Sequence, residues 1–85
     1  MYRMLIVDDE RIIRETLSRH IDWAALDVQV IGTASNGLEA YDIIMDEYPD
    51  IVMTDIKMPG FSGLELLQRI KSLHPDIEFI LLSGY

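Results

Sequence analysis

The chain has 85 residues, 49% of them apolar, with 15 Asp plus Glu against 7 Lys plus Arg, a net charge of −8 and no cysteine. That fits one small domain with an intended core, not a disordered chain. The acidic balance argues against a nucleic-acid or anionic-membrane surface and suits a cation or a basic partner. Without cysteine there are no disulfides, thiolate zinc sites or cysteine nucleophiles.

The start, "MYRMLIVDDE", carries one basic residue and a short apolar run that stops at three acids. It does not have the form of a signal peptide, no segment approaches membrane-spanning length, and a cytoplasmic location with no membrane partner is expected. "YRMLIV" (2–7) reads as a buried strand. A helix is expected over 10–21, with Ile13, Leu17 and Ile21 on one face and Asp9 placed to cap it. "VQVIGTA" (28–34) is β-branched and reads as a second strand, in which Gly32 weakens the strand or permits a close approach.

"SNG" (35–37) is turn chemistry. A helix follows over 38–48, with Leu38, Tyr41, Ile44, Met45 and Tyr48 as its apolar stripe, and Pro49 ends it. "DIVMT" (50–54) is the third strand. After a loop at 55–63, Leu64, Leu67 and Ile70 mark a third helix to Leu73, "HPD" breaks it, and "IEFILL" (77–82) is the fourth strand. Trp23, Tyr41, Met53 and Met58 read as packing residues, and His20 and His74 as surface histidines at helix C-termini.

Alternating strands and helices imply a parallel sheet with right-handed crossovers, helices on both faces and an open doubly wound architecture. All strand C-termini of such a sheet lie along one edge, where ligands bind. This sequence places Asp8, Asp9 and Glu10 after strand one, Ser35 and Asn36 after strand two, Asp55 after strand three and Ser83 after strand four. In a 2-1-3-4 order, strands one and three are neighbours, and the gap between them is the topological switch point.

Taken singly, each residue has a plainer reading. The acids Asp8 to Glu10 suit a helix N-terminus, Asp55 a turn, Ser83 a small loop position and Lys57 a solvated surface charge. Together, three carboxylates in one crevice repel each other, and a bound cation removes the conflict. Oxygen ligands without His or Cys favour Mg2+, or Mn2+ in its place, over zinc. A carboxylate such as Asp55 beside that ion can attack a phosphoryl group to form an acyl phosphate, with Ser83 donating to the phosphoryl oxygens.

"LIVDDE" (5–10), "TASNGLEA" (33–40), "PDIVMTDIKMPGFSGLELL" (49–67) and "PDIEFILLSGY" (75–85) resemble the receiver domains of two-component response regulators over essentially the whole chain. "HIDWAAL" (20–26) with "LLSGY" (81–85) looks like the subgroup that carries an AraC-type DNA-binding domain. The resemblance implies a flavodoxin-like fold and Asp55 as phosphoacceptor for a sensor histidine kinase or a small phosphodonor. It implies Mg2+ held by Asp8, Asp9, Asp55 and the backbone carbonyl of Lys57, with Asp9 the more direct ligand than Asp8. Ser83 stands at the switch hydroxyl, Gly84 at a small position that leaves the site open, and Pro59 and Gly63 shape the loop. The implied role is a switch that accepts a phosphoryl group, not a turnover enzyme, with DNA contacted only through a domain outside this chain.

Residues 1–85 are expected to be the N-terminal part of a receiver, truncated after the fourth strand, while the start at Met1 looks natural. The fifth strand, the last two helices and the lysine that pairs with the phosphoryl group have no counterpart here; Lys57 is in a different loop. The alternative is that the fragment is an inactive structural module, and an exposed fourth strand predicts a homo-oligomer by edge pairing. Two other readings fit less well. A haloacid-dehalogenase-type phosphatase needs an acid where Lys57 stands, and a flavin-binding domain needs a phosphate-cradling loop where "DDE" stands.

Overall fold

In a computed structural model, described over residues 1–82, strand β1 (Tyr2–Val7) leads into helix α1 (Arg11–Arg19) and a 3-10 turn (Trp23–Leu26). Strand β2 (Val28–Ala34), helix α2 (Gly37–Glu47), strand β3 (Ile51–Asp55), helix α3 (Gly63–Leu73) and strand β4 (Glu78–Leu82) follow. The four strands are parallel and ordered β2-β1-β3-β4, the expected flavodoxin-like arrangement.

The sheet separates two apolar layers because successive strand residues point to opposite faces. In β1, Leu5 and Val7 join Val52, Ala34, Ala40, Ile44, Leu66 and Ile70 under α2 and α3. Met4 and Ile6 join Met53 on the other face, packed by Leu17 of α1 and by Trp23. Trp23, Tyr41, Met53 and Met58 are thus packing residues as expected, and His20 and His74 close the C-termini of α1 and α3.

Several expectations need correction. Helix α1 ends at Arg19 rather than residue 21, and Ile21 is exposed. The chain turns there because the Asp22 carboxylate accepts from the Ala25 amide and starts the 3-10 turn, which carries Trp23 back under the sheet. Its indole Nε1 donates to the Leu17 carbonyl at 2.7 Å, satisfying one of the unpaired acceptors at the end of α1. Trp23→Phe is expected to cost about 1–2 kcal/mol in urea denaturation followed by circular dichroism, from one hydrogen bond and a small loss of packing.

Asp9 does not cap α1: Glu10 is the N-cap, without a side-chain cap bond, and Asp8 Oδ1 instead accepts from the Glu10 amide at 2.9 Å. On α2 the expected stripe is rotated. Ile44 is buried and Tyr41 packs against the core as expected, but Leu38 is 69% exposed and Met45 and Tyr48 are also open, while Gly37 and Ala40 are buried in their place. The helix approaches the sheet through its smallest residues, so bulky side chains misreport the buried face. In α3 the buried face is shifted instead: Leu64 is 47% exposed, and Leu66 is fully buried beside Ile70. In β4, Ile80 is 43% exposed, so this strand lacks the cover on both faces that its apolar run suggested. Gly32 makes no close approach; it lies just past a register shift opposite Met4 and Leu5, and a methyl group there would meet nothing among the described residues.

Candidate functional site

The carboxyl edge of the sheet is built from backbone pairing. The Asp8 amide donates to the Ala34 carbonyl at 3.1 Å, which extends the β1–β2 ladder by one residue. Asp55 is the last residue of β3, paired with Leu82, and not the loop residue its neighbours suggested. The register of β1 on β3, with Val7 opposite Thr54, therefore sets Asp8 beside Asp55.

Carboxylate oxygens of Asp8, Asp9 and Asp55 all lie within 4.8 Å of one another. Asp8 is buried, Asp55 half-buried and Asp9 exposed, so the crevice opens on the Asp9 side. Burial pushes the Asp8 carboxyl above its ordinary value of 3.8; the neighbouring charges of Asp55, Asp9 and Glu10 push the same way, against the Glu10 amide that holds it ionised. An oxygen-only cluster whose buried member resists ionisation is chemically suited to a hard divalent cation.

The sign of the pH effect follows from the raised value. Without a cation, Asp8 favours the folded state below the unfolded pKa, and that contribution disappears as pH rises through the raised folded pKa. Asp8→Asn, which keeps an oxygen for the Glu10 amide, is expected to raise Tm at pH 7 in chelator. The gain should vanish as pH falls toward 3.8, the ordinary carboxylate value. An equal gain at both pH values would contradict this electrostatic account.

Around the acids, the backbone is tightly held. The fully buried Thr54 donates its hydroxyl to the Asp55 carbonyl at 3.0 Å. Arg14 Nη1 donates to the Asp8 carbonyl at 2.9 Å. Beyond Asp55, the Ile56 amide reaches the Leu82 carbonyl at 3.4 Å, and the Gly63 amide donates to the Ile56 carbonyl at 3.0 Å, closing the loop on itself. Gly63 packs so closely that a Cβ would overlap the Asp55 carbonyl oxygen. Gly60, with φ +74°, makes the turn after Pro59, and Ser62 with Glu65 forms a capping box that starts α3.

The structure brings Asp8, Asp9 and Asp55 together as the sequence suggested. Lys57 lies in the loop after β3 with its side chain exposed. Ser35 and Asn36 serve the start of α2: Asn36 caps it through the Glu39 amide, and the Ser35 hydroxyl donates to the Glu39 carboxylate. Ser83 and Gly84 lie outside the described residues. Sequence reasoning missed Arg14 and Thr54. The basic residue six positions past Asp8 was the one available signal, but a surface helix carries many such residues.

A doubly wound parallel sheet with three clustered acids at its switch point is the frame of the receiver class. The chain belongs to the response regulator receiver domain family, whose profile matches residues 4–85. It is 47% identical over its whole length to the transcriptional regulatory protein YesN of Bacillus subtilis, of which it covers 23%. It is 44% identical to the transcriptional regulatory protein HptR of Staphylococcus aureus, of which it covers 33%.

Among solved structures, it resembles a two-component transcriptional regulator AraC from Clostridium phytofermentans, with 40% identity and a TM-score of 0.92 over 100% of this chain and 66% of that one. The receiver domain of AraT, a response regulator from Geobacillus stearothermophilus, matches with 33% identity and a TM-score of 0.91 over 99% of this chain and 65% of that one. The chain thus spans a quarter to a third of the curated relatives and about two thirds of these solved chains.

Proposed function

We propose that this receiver accepts a phosphoryl group on Asp55, with Mg2+ held by Asp8, Asp9, Asp55 and the Lys57 backbone carbonyl. The carrying observation is the position of Asp55 at the end of β3, within 4.8 Å of two further carboxylates in a receiver-family chain. An Asp55 carboxylate oxygen forms the new bond to phosphorus while the bond from phosphorus to its donor breaks. For a phosphohistidine of a sensor kinase that is a P–N bond, and the imidazole leaves with the electron pair; for a small phosphodonor such as acetyl phosphate it is a P–O bond. Mg2+, when bound, supplies charge neutralisation for the transferring oxygens.

The chain's own part is positional. Thr54 and Gly63 hold the Asp55 backbone, and Arg14 and the Glu10 amide hold Asp8. The Asp9 side remains open for the donor to enter. Ser83 takes the role of switch hydroxyl by family resemblance.

The protein is a phosphoacceptor switch rather than an enzyme with multiple turnover. In the cytoplasm, it would relay a kinase signal to transcription through a DNA-binding domain separate from this one. Support for that output comes from the transcriptional regulators it resembles. Phosphoryl labelling of wild type and Asp55→Asn, with and without Mg2+, tests the reading in the protein that carries this chain. Label persisting at the wild-type level in the variant, or in chelator, overturns it.

A further inference from the structure

We infer that Phe61 is a positioning residue for the acidic crevice, pinning the loop after Asp55 against the first turn of α2. The inference rests on the proposed metal site. The loop from Ile56 to Ser62 has exposed Lys57, Pro59 and Gly60 at its outer side. Met58 anchors it from below, in the core under α2 and α3. Phe61 anchors it laterally. A Cβ on Gly37 would overlap both the Phe61 ring and its backbone carbonyl, so α2 meets the loop with no room for a methyl group. The Phe61 ring packs against the buried core, and the Arg69 guanidinium lies 5.3 Å from its centroid, within cation–π range.

Phe61 is thus held by α2, by α3 and by the core, two residues before Gly63, whose amide closes the loop at Ile56. The two glycines act as a pair of contacts. Gly63 sets the loop against Asp55, and Gly37 sets it against the start of α2. Lys57, the proposed carbonyl ligand, lies on the span between Asp55 and these anchors. A loop free to move at Phe61 would still leave three carboxylates in the crevice, but would spread the position of the fourth oxygen. Metal affinity is therefore the quantity that Phe61 sets, by pre-organising the span.

The test uses MnCl2 titrated calorimetrically into the protein that carries this chain, far below Tm, and amide hydrogen exchange of Gly63 in the metal-free protein. Phe61→Ala is expected to weaken Mn2+ binding about five- to tenfold and to speed Gly63 exchange by a similar factor. Phe61→Leu, which restores a side chain against Gly37, should recover most of both. Met4→Val, a truncation in the apolar layer on the opposite face of the sheet from Met58 and Phe61, should lower Tm while leaving Mn2+ affinity unchanged; that separates positioning from stability. Wild-type affinity and wild-type Gly63 exchange in Phe61→Ala would overturn the role of Phe61 and leave the metal site standing. If the wild type shows no Mn2+ binding that Asp8→Asn weakens, the metal reading fails and the inference fails with it.

Discussion

Asp55→Asn is expected to lower phosphoryl incorporation from acetyl phosphate at least about a thousandfold, about 4 kcal/mol in barrier height. The amide oxygen is a poor nucleophile, and no second carboxylate takes over its place at the end of β3. Asp8 is buried and its Oδ1 is engaged by the Glu10 amide, while Asp9 sits on the open side of the crevice. The same variant should keep the fold. Asn and Asp are nearly isosteric, the Thr54 hydroxyl bonds the residue 55 backbone rather than its side chain, and one of three mutually repelling charges is removed. Asp55→Asn should therefore be at least as stable as wild type in chelator by urea denaturation. Loss of label with an intact fold assigns the effect to chemistry. Label at the wild-type level would remove Asp55 from its proposed role.

Gly63→Ala is expected to be the most damaging methyl group that can be added to the loop. Its Cβ would overlap the Asp55 carbonyl oxygen and crowd the Asp55 carbonyl carbon at 3.0 Å and the Ile56 Cα at 3.1 Å. These are backbone atoms at the end of a paired strand, so they cannot move aside as a side chain can. The expected cost is about 2–3 kcal/mol, a large part of the roughly 5–15 kcal/mol that holds a typical domain together. Divalent binding should weaken as well, because the strain falls on Asp55 itself. Gly32→Ala is the matched control. No atom of the described residues lies within 4 Å of its would-be Cβ, and its change should stay within about 0.5 kcal/mol. Equal effects at both positions in thermal denaturation would show that close packing at Asp55 is not the reason for Gly63.

The legible part of the fold was the part written in local pattern. β1 and β2 fall at residues 2–7 and 28–34 as expected, because apolar runs bounded by acids and turn residues carry their own limits. Helix ends were less legible. Asp9 looked like a cap, but capping depends on which way a side chain turns once its neighbour is buried, and burial of Asp8 gave the nearby amide to that residue. Asp55 reads as a loop residue because lysine, proline and glycine follow it; pairing with Leu82 keeps it in the strand. That pairing comes from a segment 27 positions away and leaves no trace in the local sequence.

What the sequence determined by itself was the order of strands and helices and the acids at their carboxyl ends. Periodicity and chain breakers are local, and parallel crossovers then leave few topologies. Only the tertiary structure decided which helix face is inside and how close the acids come. Leu38 is exposed and Ala40 buried because the distance of α2 from the sheet, rather than hydrophobicity alone, selects the residue that fits. The 4.8 Å cluster of Asp8, Asp9 and Asp55 depends on the register of β1 against β3. The contact of Gly37 with Phe61 depends on where two helices settle. Registers and helix positions are settled by packing of the whole core, so no short stretch of sequence contains them.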